Sequence, residues 1–203
     1  MTKTRIPLEP DEVYHVWTHA NGSENLFRTD ENFRYFLEKY SLYLHSVVET
    51  FAYCLMPNHL HLMVKVRSEQ ELRSLPKFKT LKEPEFPKAV SLRFSHLFNC
   101  YTQSYNRKYE RKGSLFIDSF HRKKINSDEY FTSLIAYIHN NPIHHGFVKD
   151  LNDWPYSSWH AYLSDKHTRI NRKEALEWFG GKETFIKTHQ DLKPEKFANI
   201  FEI

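Results

Sequence analysis

"ETFAYCLMPNHLHLMVKV", residues 49–66, decides the fold. Two runs rich in β-branched, aromatic and aliphatic residues are broken once, at Pro57-Asn58. That pattern predicts strands over 49–57 and 58–66, folded back as an antiparallel hairpin. Side chains alternate between the faces of a strand. His59 and His61 therefore project together, while Leu60, Leu62 and Val64 project the other way, into a core. Two imidazoles on one face can share a metal ion. They can equally be the polar face of a half-buried strand, and the hairpin alone leaves both readings open.

Outward from the hairpin, "VYHVWTHA" (13–20) alternates and is rich in Val and aromatics, which predicts a first strand. Asp30 is the expected N-cap of a helix carrying Phe33, Phe36, Leu37, Tyr40 and Leu44 at helical spacing. Residues 68–88 mix Ser, Glu and Lys with Pro76, Pro84 and Pro87, and are expected to form a mobile loop or insertion. A long helix is predicted over 90–109, ending before Gly113. "SLFIDSFHRKKI" (114–125) predicts a fourth strand. Ser127 then caps a last helix, which Pro142 is expected to stop. Strand, helix, strand, strand, helix, strand, helix is the order of an α+β, ferredoxin-like (split βαβ) domain, an antiparallel sheet with helices packed on it. Residues 1–149 are expected to form this core, and 150–203 a C-terminal extension of the same domain with no assigned role.

The length of 203 residues suits such a single domain. No apolar run reaches membrane-spanning length, and "MTKTRIPLEP" lacks the apolar stretch of a signal peptide. Cys54 and Cys100 have no metal-site spacing, so a reducing cytoplasm is the expected compartment. The net charge of +4 is a weak pointer to a polyanionic partner. Its distribution says more. "YNRKYERKGSLFIDSFHRKK" (105–124) carries Arg107, Lys108, Arg111, Lys112, Arg122, Lys123 and Lys124 against Glu110 and Asp118, with Tyr105, Tyr109, Phe116 and Phe120 interleaved. Cations for phosphates and flat rings for bases suit single-stranded nucleic acid. The competing reading is a solvated helix end followed by a strand whose rings face inward.

In the last predicted helix, Phe131, Leu134, Ile135 and Ile138 follow i, i+3, i+4, i+7 spacing and define a buried stripe. Tyr137 and Asn141 fall together on one flank of it, one turn apart, so their side chains can meet.

These residues resemble the HUH-type single-tyrosine transposases, in the branch of REP-associated tyrosine transposases. The matching features are His59-Leu60-His61 within "YCLMPNHLHLMV", "YHVW…NGSENLF" near the start, "GSLF…F…K" at 113–124, "YIHNNPIHHGFV" at 137–148 and "WPYSSWHAY" at 154–162. The resemblance implies that His59, His61 and Asn141 hold a divalent ion, Mg²⁺ or Mn²⁺. The two imidazoles tilt the preference toward Mn²⁺. It also implies that Tyr137 is a nucleophile that attacks a scissile phosphate in single-stranded DNA bearing a hairpin, giving a 5′-phosphotyrosine link and a free 3′-OH. Activity is then expected to fall below about pH 6, as imidazoles of ordinary pKa, ~6.5, protonate. Relatives of this kind occur as dimers and as monomers, so either state is compatible with the resemblance.

Competitors for these roles are Tyr130 for the nucleophile and Asn140 for the third ligand. Tyr101, Tyr105 and Tyr109 form a stripe of the kind that packs one helix on another, and His121, His144 and His145 read as phosphate contacts or surface residues. Two rival functions stand beside the transposase-like one. A metal-dependent phosphohydrolase would use the histidine pair and water; Met63 at the next alternating position argues against a histidine-triad enzyme. A non-catalytic nucleic-acid-binding module would bind DNA without metal and never cleave it.

Overall fold

The computed structural model describes residues 6–118 and 120–191. Strands β1 (Val13–His19), β2 (Val48–Leu55), β3 (His59–Val66) and β4 (His121–Lys124) form one sheet in the order β2-β3-β1-β4, antiparallel throughout. Helix α1 (Asp30–Leu44) carries the chain from β1 to β2, and α3 (Phe86–Lys108) from β3 to β4, each passing one intervening strand. This is the split βαβ arrangement the element order predicts. The hairpin closes with Met56 N–H donating to the His59 carbonyl at 2.8 Å, so Pro57-Asn58 forms its tip.

Strand alternation gives the sheet two unlike faces. Tyr14, Val16, Leu60, Leu62, Val64 and Val66 join a core with Phe33, Phe36 and Leu44 of α1 and Phe94, Leu97, Phe98 and Tyr101 of α3. The opposite face is covered by α4 (Asp128–His144) and by the C-terminal helices α5 (Trp159–Leu163), α6 (Arg172–Trp178) and α7 (Lys182–Gln190). There Ala52, Cys54 and Met63 pack with Leu134, Ile135, Ile138, Trp159, Tyr162 and Phe185. A β-bulge between Thr50 and Ala52 makes this possible. It lets β2 turn Thr50 toward Val64 on the α1 side, then set Ala52 and Cys54 opposite Met63 and His61 on the other. The edge of β2 is covered by the chain before α5. Leu55 N–H donates to the Tyr156 carbonyl, and Ser158 N–H to that of Tyr53, both at 2.9 Å.

Several expectations are corrected. The N-cap of α1 is Thr29, not Asp30. The Asn32 carboxamide oxygen accepts from the backbone N–H groups of Arg28 and Thr29 and so fixes the chain one residue earlier. The expected loop at 68–88 contains helix α2 (Glu69–Arg73) and a 3₁₀ turn at Glu83–Glu85. Ser68 and Glu71 form a capping box there, and Leu72, Phe78 and Phe86 are buried anchors. Helix α3 accordingly begins at Phe86 rather than near 90. Strand β4 is four residues long, far shorter than 114–125. The segment before it bends inward to bury Leu115, Phe116 and Phe120, leaving one isolated bridge between Phe116 and Ala20. Finally, Pro142 does not stop α4. It sits inside the last turn, which closes through His145 N–H to the Asn141 carbonyl and ends at Gly146, φ 72°. Residues 192–203 of the expected C-terminal extension lie outside the described residues.

Candidate active site

The register of β1 on β3 sets the site. His15 lies opposite Met63, Trp17 opposite His61 and His19 opposite His59. All six side chains emerge on the α4 side. Helix α4 crosses this face because Ser127 caps it, accepting from Tyr130 N–H at 3.3 Å, with Asp128 and Glu129 in its first turn. Its apolar stripe is buried, and the flank carrying Tyr137 and Asn141 is laid against the histidines.

The geometry is tight. His59 Nε2 and Asn141 Oδ1 are 3.0 Å apart, and His59 Nδ1 and Asn58 Oδ1 are 2.8 Å apart. His61 Nδ1 meets His15 Nε2 at 3.0 Å. The Tyr137 ring stands edge-on to His61, with centroids 5.5 Å apart, and to His15 at 6.5 Å. His59 stacks on His19 and meets His145 edge-on, each at 4.8 Å. His59, His61 and Asn141 are all but inaccessible, and Tyr137 keeps 6% of its surface.

Burial dominates the electrostatics. It pushes His59 down to about 4, against a smaller opposing pull from Asn141. It holds His61 well below the ordinary imidazole range, with the neighbouring His15 and His59 acting in the same direction. His15 is pushed down to about 3, again chiefly by burial. The same loss of water raises the Tyr137 phenol, and Asn141 partly offsets this. The histidines are therefore neutral at pH 7, with one ring proton each. That creates a mismatch at His59, whose two ring nitrogens both face a carboxamide oxygen. One proton satisfies one of them. Flipping Asn141 to present its nitrogen, or a cation shared by Nε2 and Oδ1, resolves the other. His61 Nε2 and Asn141 Nδ2 are also buried with no hydrogen-bond partner. Among the described residues no group of three His, Cys, Asp or Glu side chains could hold a metal ion. The histidine pair is completed by a carboxamide instead.

The sequence-derived residues thus separate. His59, His61, Tyr137 and Asn141 converge. Asn140 turns away, donating to the carbonyls of Ala136 and His189. The basic set divides by strand register. Lys123 lies opposite His15, on the site face, with its ammonium 5.0 Å over the Tyr130 ring. Arg122 and Lys124 lie on the other face, where Arg122 donates to Ser91 and Lys124 pairs with Glu12 at 2.9 Å. Arg107, Lys108, Arg111 and Lys112 sit at and just beyond the end of α3. There Lys108 pairs with Glu31 and Arg111 with Glu24, while Arg107 and Lys112 are exposed. His121 stacks on Trp17 at the rim, and His145 lies over His59. Sequence reasoning missed His15 and His19. Their signal was present in "YHVWTH", where positions 15, 17 and 19 share a face.

No family model matches the chain. A curated protein of Haemophilus influenzae (strain ATCC 51907 / DSM 11121 / KW20 / Rd), named as a REP-associated tyrosine transposase, is 29% identical over 118 residues. The match takes in 57% of this chain and spans 61% of that relative's length. A solved structure of a REP-associated tyrosine transposase bound to a REP hairpin shares the fold. It superposes with a TM-score of 0.61 at 18% identity, covering 81% of this chain and 87% of that one. Among the described residues no helix is long and apolar enough to cross a membrane. In sequence over its matched residues, and in fold over most of its length, the chain is similar to the REP-associated tyrosine transposases.

Proposed function

We propose that this chain is a transposase-like DNA strand transferase that cleaves and rejoins single-stranded DNA beside a hairpin, working on DNA in the cytoplasm. The observation that carries this reading is the convergence of Tyr137, His59, His61 and Asn141 on one sheet face, from elements about eighty residues apart in sequence. The partner of the solved neighbour, a REP hairpin, supports the class of DNA.

Tyr137 is the nucleophile. Its phenol oxygen forms the bond to phosphorus as the bond to the 3′ oxygen breaks. The phenol proton is lost, and the departing oxygen gains one to become a 3′-OH. The covalent link keeps a phosphodiester in place, so a second 3′-OH can attack it and reseal the strand. His59, His61 and Asn141 would hold a divalent cation, Mn²⁺ or Mg²⁺. The donor set fits such an ion: His59 Nε2 faces Asn141 Oδ1, an acceptor, and His61 Nε2 is buried with no hydrogen-bond partner. When bound, the ion supplies positive charge to the scissile phosphate. The packing of the Tyr137 ring edge-on against His61 and His15 limits it to few orientations, which lowers the entropic cost of attack.

The test is incubation with labelled hairpin-bearing single-stranded DNA and Mn²⁺, then denaturing electrophoresis. A protein–DNA adduct that is lost on adding chelator supports the reading. Cleavage with no adduct points instead to a hydrolase using water, and metal-independent binding without cleavage to a binding module.

A further inference from the structure

The proposed ligand His61 has a partner that neither the histidine pair nor the tyrosine motif identifies. Its Nδ1 lies 3.0 Å from Nε2 of His15, across the strand pair and one step along the diagonal. Both rings are almost fully buried, at 2% and 1% of their surface. One proton lies between the two nitrogens, and two assignments are open. If His15 donates, the single proton of neutral His61 sits on Nε2, which is buried and has no acceptor. A buried donor left unpaired costs about 1–3 kcal/mol. If His61 Nδ1 donates to His15 Nε2, Nε2 instead carries a buried lone pair beside Tyr137 and His59, an unmet acceptor that a bound cation would satisfy and an N–H at the same place could not.

We propose that His15 is a positioning residue: it accepts the Nδ1 proton of His61 and so fixes the tautomer and ring orientation in which Nε2 can act as a metal donor. This rests on the metal-dependent reading above. Carboxylates and backbone carbonyls commonly hold ligating histidines this way; here a second imidazole does so. Its ring is itself wedged, stacked on Trp17 at 4.6 Å and edge-on to Tyr137. One side chain thus braces both the proposed ligand and the proposed nucleophile. Asn58 does the corresponding work at the other histidine, accepting from His59 Nδ1 at the hairpin tip.

The experiment compares wild type with His15→Phe and His15→Gln. Phenylalanine keeps a flat ring against Trp17 and Tyr137 but accepts no hydrogen bond, and glutamine restores an acceptor oxygen. Two quantities are measured. The first is the ¹⁵N signature of the His61 ring in metal-free protein. The second is Mn²⁺ affinity by titration calorimetry, with thermal unfolding and metal-free hairpin binding as controls for folding. The wild type should show His61 protonated on Nδ1. His15→Phe should lose that signature and weaken Mn²⁺ binding by about 10- to 100-fold, with hairpin binding unchanged. His15→Gln should recover most of the affinity. A wild-type His61 protonated on Nε2, or a His15→Phe protein with wild-type Mn²⁺ affinity, overturns the assignment. A wild type that binds no Mn²⁺ overturns the metal reading instead, and the nitrogen spectrum distinguishes the two failures.

Discussion

Tyr137 and its neighbours are where chemistry and packing can be separated. Tyr137→Phe removes one oxygen and leaves the ring that meets His61 and His15 edge-on. The protein should fold with a loss of about 1 kcal/mol or less, while the covalent adduct disappears. Tyr130→Phe, two turns back on α4 beside Lys123, should keep the adduct. Electrophoresis of both variants decides it, and an adduct surviving in Tyr137→Phe assigns the nucleophile elsewhere. The four convergent residues were legible because two short-range periods, two for β3 and 3.6 for α4, put each pair on one face. His15 was not, since its role depends on which residue of β3 it lies beside. That register is a property of two strands, and no single stretch states it.

At the scale of elements, β4 shows how register sorts a basic run into different tasks. Lys123 faces the site, whereas Lys124 faces away and is paired with Glu12. Lys123→Ala should weaken DNA binding for all sequences alike and reduce the salt dependence of log K by about one unit of slope. Lys124→Ala should leave both nearly unchanged. Equal losses would place the DNA across both faces of the sheet. A second element-scale feature ties α7 to α4. His189 Nδ1–H donates to the Phe185 carbonyl, His139 Nδ1–H to His189 Nε2 at 2.8 Å, and the Ser158 hydroxyl to His139 Nε2 at 2.6 Å. Tyr53 N–H in turn donates to Ser158 Oγ. Ser158→Ala leaves an amide and an imidazole lone pair buried without partners. It should cost about 1–3 kcal/mol, seen as a lower urea midpoint with an unchanged slope. Sequence did not announce this chain, because its members lie up to 136 positions apart, from Tyr53 to His189. The helix within 68–88 was missed for a different reason: three isolated apolar anchors among Ser, Glu and Lys carry no period.

For the whole molecule, the histidines couple stability to acid. Burial depresses His15 to about 3 and His59 and His189 to about 4, and holds His61 and His139 well below the ordinary range. The unfolded chain takes up protons below about 6.5, where the native state does not. Stability is therefore fully present above that pH and is lost as pH falls toward about 4. Urea midpoints measured from pH 7.5 to 4.5 should decline steadily below 6.5; a flat profile would contradict the buried, neutral state of these rings. The same shift moves the acid limit of activity, since the proposed ligands stay neutral well below the pH 6 expected of ordinary imidazoles. The split βαβ topology followed from element order, while the second layer over the sheet did not. Residues 150–191 reach it through contacts with β2 and α4, and local patterns carry no information about such distant partners.

The two unlike faces of the sheet have a consequence for errors in assembly. A slip of β1 or β3 by one residue exchanges every side chain between faces. Histidines would enter the aromatic layer beneath α1 and α3, and Val16, Leu60 and Leu62 would lie under Tyr137. The slipped chain would lose its core and its proposed chemistry in the same event. A register error is therefore penalised in stability as well as in the site, which favours molecules whose imidazoles face the tyrosine.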